Sequence, residues 1–275
     1  MMNMSTFFSY GDKDFSLSHT LTEQPDPSSF HMHTHANAEL YYFVKGRGVF
    51  RIEGSEYPLE SGDLLVMQPT ESHLIVPNPK YPYERKNLHF NAEVLRCIDP
   101  NCQLLSSILS RKPGKHNVFK AGDFLGGSCE HYFDAMMSTI GDPRVNIFAG
   151  LIPLLNEMHQ IHLRRCEEDE SDIDTVEYRV IRYINKNLTR PISLDDICDT
   201  FYLSKTQLCR LFKDATGTTV WKYITTKRLV RARQLIEAGE NPTHIYASQC
   251  GFSNYSSFYR AYVKHFGCAP TKNIG

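Results

Sequence analysis

The chain has 275 residues, of which 41% are apolar, and its formal net charge at neutral pH is −1. This length predicts about two domains, and the composition is that of a globular protein able to bury ordinary cores. No apolar run approaches the roughly 20 residues that cross a bilayer. We therefore expect no membrane-spanning segment and no membrane partner. The first residues lack the basic and apolar regions of a secretion signal, so we expect a cytoplasmic protein.

Cysteine usage and charge distribution narrow the class further. Eight cysteines are present without a CxxC motif, which favours a reduced protein with buried thiols. Residues 1–174 carry a net charge of −9, whereas residues 175–275 carry +8. A basic C-terminal part on an acidic N-terminal part predicts a polyanionic partner for the C-terminal part only.

Residues 15–93 have the pattern of short strands. β-Branched and aromatic runs at 40–44, 48–54 and 63–67 are separated by Gly, Pro and Asn. Strand starts about 8–15 residues apart predict an antiparallel barrel or sandwich.

From about Leu104 to Arg165 the apolar spacing becomes helical, as at Phe133, Met136, Met137 and Ile140. The tight break at 141–144 predicts two antiparallel helices, with Pro143 in a first turn. Pro153 should kink the second helix or mark a boundary. The apolar faces of these helices predict a dimer interface; the alternative is that they only cover the open side of the barrel.

Residues 167–174 hold six acidic side chains in eight and have no core pattern, which predicts a solvated linker. We therefore expect an α+β chain with a β-barrel domain at 1–95 and a helical, dimer-forming segment at 96–166. The linker at 167–174 would then lead into an all-helical domain at 175–275.

The last hundred residues contain one helix-turn-helix pattern twice, at 192–217 and 242–267, with corresponding positions offset by 50 residues. Before the turn the offset is 49, so the second copy carries one extra residue there. The first helix of each copy should bury small or apolar residues, which are Leu194, Ile197 and Cys198 in one copy and Ile245 and Ala247 in the other.

The turns and caps of the two copies also follow a common pattern. Gly251 suits a turn that requires positive φ, and Tyr202 occupies the equivalent position in the first copy. Ser204 is a favourable N-cap for the helix that follows, as Ser253 or Asn254 is in the second copy. The stretch between the copies predicts a helix of about 20 residues, roughly 30 Å long. That length is close to the roughly 34 Å that separates successive major grooves on one face of a duplex.

The C-terminal hundred residues resemble the DNA-binding domain of AraC/XylS-family transcription regulators. The residues that carry the resemblance are Ser204, Leu208, Arg210 to Lys213, Gly217, Lys227 to Leu229, Ala232, Ala247, Gly251, Phe252, Ser257, Phe258, Arg260, Gly267 and Pro270. The second copy has Tyr262-Val263-Lys264 where the family usually has Phe-Lys-Lys.

The register of the resemblance implies which side chains face DNA. Thr206, Cys209 and Arg210 of the first reading helix, and Tyr255, Ser256 and Arg260 of the second, would reach base edges. Arginine is the side chain best suited to paired contact with guanine. The residues expected at phosphates are Lys205, Lys213, Asn254 and Lys264.

The N-terminal part contains His33, His35, Glu39 and Gly46 at the spacing of the first cupin motif, and 61–73 resembles the second, ending at His73. The resemblance implies a cupin-like sensor barrel. Two histidines one residue apart on a strand share a face. A Glu at the start of the next strand and a His from a later hairpin can complete a site for a divalent metal. The metal candidates are therefore His33, His35, Glu39 and His73. Alternatively, the histidines bind an organic ligand or only each other.

The wider effector pocket is expected to include His31 as a third histidine on the same face. Tyr41 and Phe43 share the strand parity of Glu39 and would form aromatic walls, with Tyr42 pointing the other way. No cofactor other than this divalent metal is predicted.

These features predict a transcription regulator, an activator by the commoner family role, controlled by a small-molecule effector such as a carbohydrate. The expected partners are double-stranded promoter DNA, the effector, a second copy of the chain and, for an activator, RNA polymerase. The alternative is a metal-dependent cupin enzyme with an accessory DNA-binding module, in which His33, His35, Glu39 and His73 would be the ligands.

Overall fold

A computed structural model describes residues 4–95, 97–99, 101, 103–168, 175–216, 218–237 and 239–273. Most of the predicted acidic linker, 169–174, lies outside these ranges. The strands are β1 Met4–Gly11, β2 Phe15–Thr22, β3 Ala38–Lys45, β4 Gly48–Ile52, β5 Ser55–Pro58, β6 Leu64–Met67, β7 His73–Pro77, β8 Tyr83–Phe90 and β9 Val118–Phe119. The helices are α1 Ser106–Leu109, α2 Glu130–Met136, α3 Pro143–Glu168, α4 Val176–Lys186, α5 Leu194–Phe201, α6 Lys205–Thr216, α7 Val220–Glu237, α8 Pro242–Ser248 and α9 Tyr255–Phe266.

The strands form two antiparallel sheets, in agreement with the predicted α+β chain with an N-terminal β domain. One sheet has six strands in the order β1-β2-β8-β3-β6-β9, and the other has three in the order β5-β4-β7. The sheets share a core between them, to which both contribute aromatic and aliphatic side chains. Among the described residues they do not join into one closed barrel.

Strand alternation sends neighbouring residues of β3 into two different cores. Tyr41 and Phe43 lie between the two sheets. Leu40 and Tyr42 point to the other face of the large sheet, where they meet α1, α2 and α3. This period of two is the one predicted for Tyr41, Tyr42 and Phe43 from the sequence. It makes β3 the strand that connects the inner core with the helical layer.

The helical segment is shorter than predicted. The described residues between 97 and 129 are mostly irregular; they include α1, a short 3-10 helix at Ala121–Asp123 and the strand β9, which pairs with β6. Pro113, Gly114, Gly126 and Gly127 explain this, because such residues interrupt helices. No helix boundary falls at Pro153, which lies inside the 26-residue helix α3.

The C-terminal domain has two apolar cores joined by one helix. The first is built by α4, α5, α6 and the beginning of α7. The second is built by the end of α7 with α8 and α9. At 18 residues, α7 is about 27 Å long and spans both cores. None of the described helices combines the length and apolar character needed to span a membrane.

Candidate DNA-reading surface and effector site

The first helix-turn-helix is held by side-chain caps at both of its helices. Ser193 and Asp196 cap α5 reciprocally. At the start of α6, Ser204 Oγ accepts a hydrogen bond from the Gln207 amide at 3.3 Å, and Gln207 Oε1 accepts one from the Ser204 amide at 2.9 Å. Between the helices, Tyr202 adopts the left-handed conformation with φ 55°. The turn therefore has the predicted geometry, at a residue that adopts it less readily than glycine.

The second helix-turn-helix uses glycine at the equivalent place. Gly251 has φ +72°, and a Cβ added there would lie 2.4 Å from the carbonyl oxygen of Leu188. Asn254 caps α9 by accepting a hydrogen bond from the Ser257 amide at 2.8 Å. The glycine is thus required both by the backbone conformation and by the close approach of the Leu188 carbonyl.

The inner faces of α6 and α9 are buried through Leu208, Phe212, Phe258 and Tyr262. The opposite faces are left open to solvent. The predicted DNA contacts that are exposed are Lys205, Thr206, Cys209, Arg210, Lys213, Asn254, Ser256, Arg260 and Lys264.

Three positions depart from this simple pattern. Tyr255 is only half-buried, with its ring centroid 5.7 Å from that of Tyr246. Lys205 already forms an exposed ion pair with Asp195 at 2.7 Å. The prediction that Ala247 is buried was wrong: it is exposed, because the seven-residue α8 packs on the second core through Ile245 and Tyr246.

Some basic residues of α7 bond to backbone carbonyls or are buried. Arg228 Nε donates to the Leu188 carbonyl at 2.8 Å, and Arg231 Nε donates to the Gln249 carbonyl at 2.7 Å. Lys227 is buried. The positive charge of the domain therefore overstates the charge available to DNA.

In the N-terminal domain, a two-residue β-bridge brings the two cupin-like motifs together. The amide of His33 donates to the His73 carbonyl at 3.1 Å, and the amide of His73 donates back at 3.0 Å. The amide of Thr70 donates to the His35 carbonyl at 2.8 Å. The ring centroids of His33 and His73 are 4.2 Å apart, and those of His35 and His73 are 5.0 Å apart.

Backbone carbonyls fix the orientation of these three rings. The Nδ1 atoms of His33, His35 and His73 lie 3.0, 2.8 and 2.8 Å from the carbonyl oxygens of His31, Asn37 and Glu71. A carbonyl oxygen only accepts, so Nδ1 carries the proton in each ring and a neutral ring presents the Nε2 lone pair. The ligand atoms of the three histidines lie within 4.8 Å of one another.

Glu39 is the buried carboxylate of the site. Its Oε2 lies 2.9 Å from His35 Nε2 and 3.1 Å from His73 Nε2. Its Oε1 accepts a hydrogen bond from Asn87 Nδ2 at 3.1 Å and lies 3.6 Å from His89 Nε2. Burial alone would raise the pKa of Glu39, but the charge of His89 and the contacts with His35 and His73 hold that pKa well below its ordinary value.

The pKa values of the histidines in the site are shifted in opposite directions. For His73, burial acts to lower the pKa, but contact with the Glu39 carboxylate outweighs it and the pKa is raised. Desolvation and repulsion from His73 lower the pKa of His33 to about 4, although part of its ring is exposed. Burial lowers the pKa of His89 despite the attraction of Glu39. The imidazoles of the site thus differ in the direction in which their pKa values are shifted.

The residues fit a divalent transition metal. The Nε2 atom of His73 is buried without an aligned hydrogen-bond partner, although Glu39 is close. Zinc ligands about 2.0–2.1 Å from the ion stand roughly 3.3 Å apart, near the observed nitrogen–oxygen separations. Metal-bound histidines commonly donate their other N–H to a carbonyl, as these three do. His33, His35, His73 and Glu39 would hold such an ion, which would supply a Lewis-acidic anchor for a ligand.

Other predicted pocket residues lie outside this cluster. The ring of His31 is exposed. It belongs neither to the group of His33, His35 and His73 nor to that of His35, Glu39 and His89, whose possible ligand atoms lie close together. Tyr41 and Phe43 are buried in the inter-sheet core, where the Tyr41 ring packs on Phe50 and its hydroxyl contacts that of Tyr83. Phe50 in turn stacks on His73 with ring centroids 5.9 Å apart.

The sequence reasoning missed two members of the site, Asn87 and His89. Both lie on β8, directly opposite Tyr41 and Glu39 of β3. Their alternate positions in one strand place them on one face, which is a signal in the sequence. The pairing of β8 with β3 has no such local signal.

Comparison with known proteins agrees with this architecture. Residues 17–110 match the model of the AraC-like ligand binding domain, and residues 197–273 match that of a helix-turn-helix domain. Together the two matches cover more than half of the chain. The chain belongs to the AraC family of transcription regulators. It is a DNA-binding regulator with a ligand-binding domain, and its relatives are regulators, not enzymes.

Among its relatives, the HTH-type transcriptional activator RhaR of Escherichia coli is 24% identical over 250 residues, covering 88% of this chain and 86% of RhaR. The Probable transcriptional regulator LumQ of Photobacterium leiognathi is 34% identical over 105 residues, which span 38% of this chain and 42% of LumQ. The crystal structure of ToxT from Vibrio cholerae O395 aligns over 95% of this chain and 97% of ToxT, with 14% identity and a TM-score of 0.38.

Proposed function

We propose that the open faces of α6 and α9 read promoter DNA in two successive major grooves. The observation that carries this proposal is the pair of capped, outward-facing reading helices joined by the single helix α7. The length of α7, about 27 Å, is compatible with grooves that recur about every 34 Å. Residues 175–275 would form this DNA-binding domain, after a sensor at 1–95, a helical segment at 96–166 and a linker at 167–174.

Within the reading faces, the exposed side chains have different roles. Arg210 and Arg260 are assigned to bases, together with Thr206, Cys209 and Ser256, whereas Lys213, Asn254 and Lys264 hold phosphates. The ring of Tyr255 packs against Tyr246, so less of it is available to contact DNA. The ion pair with Asp195 makes Lys205 the weakest of the phosphate candidates.

The effector site in this proposal is the cluster of His33, His35, Glu39, His73 and His89. Inward-facing imidazole nitrogens beside a buried carboxylate can bind the hydroxyl groups of a small molecule such as a carbohydrate. A divalent metal held by His33, His35, Glu39 and His73 would add an anchor for an oxygen of that molecule. The effector is the ligand to which the regulator responds.

The proposal extends to assembly and to the direction of regulation. We assign a homodimer to the outer face of α2 and α3. Two apolar residues beside these helices, Leu125 ahead of α2 and Ile140 between α2 and α3, are 81% and 83% exposed. We assign activation, through contact with RNA polymerase, because the relative RhaR is named an activator. The regulator would act in the cytoplasm, where its promoter DNA is found.

DNA reading is tested by the combined substitution of Arg210→Ala and Arg260→Ala in the full chain. The probe is an operator selected from a random duplex pool by the wild-type protein, with binding followed by fluorescence anisotropy. Each lost base contact costs about 1–3 kcal/mol, so the double variant should bind at least about thirtyfold more weakly. Wild-type affinity should also fall steeply with salt.

The control is Lys80→Ala, which removes an exposed positive charge from the loop between β7 and β8 of the sensor domain. It should leave operator affinity unchanged. Circular dichroism and thermal melting verify that both proteins are folded. If the folded double arginine variant binds the operator like the wild type, α6 and α9 are not the reading helices.

A further inference from the structure

A buried carboxylate connects the sensor domain with the DNA-binding domain. Glu53 lies in the turn between β4 and β5 and is 1% exposed. Three residues of the DNA-binding domain bond to its carboxylate: Lys227 Nζ to Oε1, and the Tyr223 hydroxyl and Asn185 Nδ2 to Oε2. One carboxylate therefore bonds to both α4 and α7 across the domain boundary.

The partners of Glu53 are buried together with it. Lys227 is 4% exposed, and its ammonium group lies 5.3 Å from the ring centroid of Tyr223. Burial of a lysine is costly unless a carboxylate compensates its charge, and Glu53 is the carboxylate in contact with it. Lys227 can therefore stay buried at low cost only while the two domains remain docked as observed, because the other domain supplies its charge partner.

The same turn packs against the rear of the first reading unit. A Cβ added at Gly54 would lie 2.6 Å from Ile181 Cδ1 of α4 and 3.7 Å from Ala215 Cβ of α6. The reading face of α6, with Arg210 and Lys213, remains exposed. The contact thus fixes the position of the first helix-turn-helix without covering the surface assigned to DNA.

A short backbone segment joins this contact to the histidine cluster. The amide of Ser72 donates to Glu53 Oε1 at 2.7 Å, and the Glu53 amide donates to the Ser72 carbonyl at 3.0 Å. The next residue is His73, whose ring lies in the cluster. Movement of His73 on ligand binding would therefore act directly on the bonds that hold Glu53.

The DNA-binding domain also faces the cluster across a narrow gap at His33. A cavity of about 10 Å³ separates two sets of residues, Met32, His33 and Ser72 of the sensor from Thr218, Lys222, Tyr223 and Thr226 of the DNA-binding domain. This space holds no more than about one water molecule. A ligand that extends beyond His33 would have to displace α7.

We propose that Glu53 is an interdomain latch: it fixes α4 and α7 to the sensor domain, and occupation of the histidine cluster releases it. The second part rests on the proposed effector site, whereas the first part does not. The latch acts by placing the reading helices, because their DNA-facing sides are open while it is closed. In this proposal the chain has two states, with the Glu53 contact closed or released, which differ in their contacts at the effector site. Such a difference is what coupling between the effector site and the DNA-binding surface requires.

The latch is tested without ligand by hydrogen–deuterium exchange of the full chain. Glu53→Gln leaves Lys227 buried without its charge partner and can impair folding, so the main variant combines Glu53→Gln with Lys227→Met. We expect exchange in 48–58 and 218–230 to rise by at least about tenfold, with α9 unchanged. Small-angle scattering should show a larger radius of gyration.

The matched control is Glu56→Gln, which removes an exposed carboxylate from the same hairpin, where it pairs with Arg51 on the surface. It should leave exchange in both segments unchanged. Wild-type exchange and dimensions in the folded double variant would overturn the latch. An effect of the same size in Glu56→Gln would also overturn it, because Glu53 would then have no special role.

The coupling is tested with Zn²⁺ as the probe. In the wild type, bound Zn²⁺ should raise exchange in 218–230, and the double variant should bind Zn²⁺ several-fold more tightly because its latch is already open. Stoichiometric Zn²⁺ binding without either change would overturn the coupling. Absence of Zn²⁺ binding would overturn the metal part of the proposed function, while the ligand-free comparison would still decide the latch.

Discussion

At the residue scale, three imidazoles of the sensor domain use the same nitrogen for the same purpose. The Nδ1 atoms of His33, His35 and His73 each meet a backbone carbonyl, which leaves the Nε2 atoms for the interior of the cluster. Fixed orientation lowers the entropy lost on binding, since the rings need not be ordered by the ligand. The carbonyls are therefore as much a part of the site as the rings.

Removal of one ring should weaken metal binding selectively. Apo full-length protein, prepared by dialysis against a chelator, should bind one Zn²⁺ per chain, and His33→Ala should lower the affinity at least about tenfold by deleting one of its nitrogen ligands. Isothermal titration calorimetry and elemental analysis measure affinity and stoichiometry. The control is His31→Ala, which removes an exposed ring and retains the carbonyl that orients His33. Equal losses in both variants would contradict the assigned ligand set.

At the element scale, the two helix-turn-helix units form the same turn with different residues. Gly251 has φ +72° and Tyr202 has φ 55°, so both copies need the left-handed region. A β-carbon disfavours this conformation by roughly 1–2 kcal/mol. The ring of Tyr202 is 95% exposed and gains no packing that would offset this cost. The first turn is therefore strained where the second is relaxed.

Tyr202→Gly should stabilise the protein. Relief of the left-handed strain outweighs the greater flexibility of glycine in the unfolded chain, for a net gain of about 0.5–1 kcal/mol. Urea denaturation followed by circular dichroism gives the free energy of unfolding. Tyr202→Ala is the control, because it removes the ring and keeps the β-carbon, and it should give no such gain. A less stable Tyr202→Gly variant would show that the tyrosine ring contributes contacts that outweigh the strain.

At the scale of the whole molecule, α3 has two faces with different uses. Its inner face, with Leu151, Leu155 and Met158, is buried against the large sheet and α2. On its outer side, a 520 Å³ cleft is lined by Leu125, Tyr132, Pro153, Asn156, Glu157, Gln160, Leu163 and Arg164. At 26 residues the helix is about 39 Å long, enough for an interface of standard size. A second copy of the chain is the proposed occupant of this outer face.

Charge introduced into the cleft should separate the dimer. The double variant Leu125→Asp with Leu163→Asp buries two carboxylates in any interface formed there, so the protein should sediment as a monomer at micromolar concentration. Analytical ultracentrifugation of the full chain measures this. The control is Ile98→Asp, at an exposed apolar residue that does not line the cleft. A variant that remains dimeric, or a monomeric wild type, would exclude this interface.

The sequence alone determined those features that depend on neighbours along the chain. The caps Ser204 and Asn254, the turn positions Tyr202 and Gly251, and the buried faces of α6 and α9 follow from contacts between residues three or four apart. Strand alternation likewise assigned Tyr41 and Tyr42 to opposite sides of the sheet. These local rules gave the two reading units and the general α+β order.

Only the tertiary structure decided which distant residues meet. Asn87 contacts Glu39 across 48 residues, and Lys227 contacts Glu53 across 174 residues. Strand pairing and domain docking depend on the packing of whole surfaces, so no local pattern marks His89 as a neighbour of Glu39. The same reason explains why Lys227, part of a DNA-binding motif in the sequence, is buried against the sensor. Local sequence preferences therefore determine the helices, strands and turns, whereas strand pairing and domain docking determine which of their side chains form a site together.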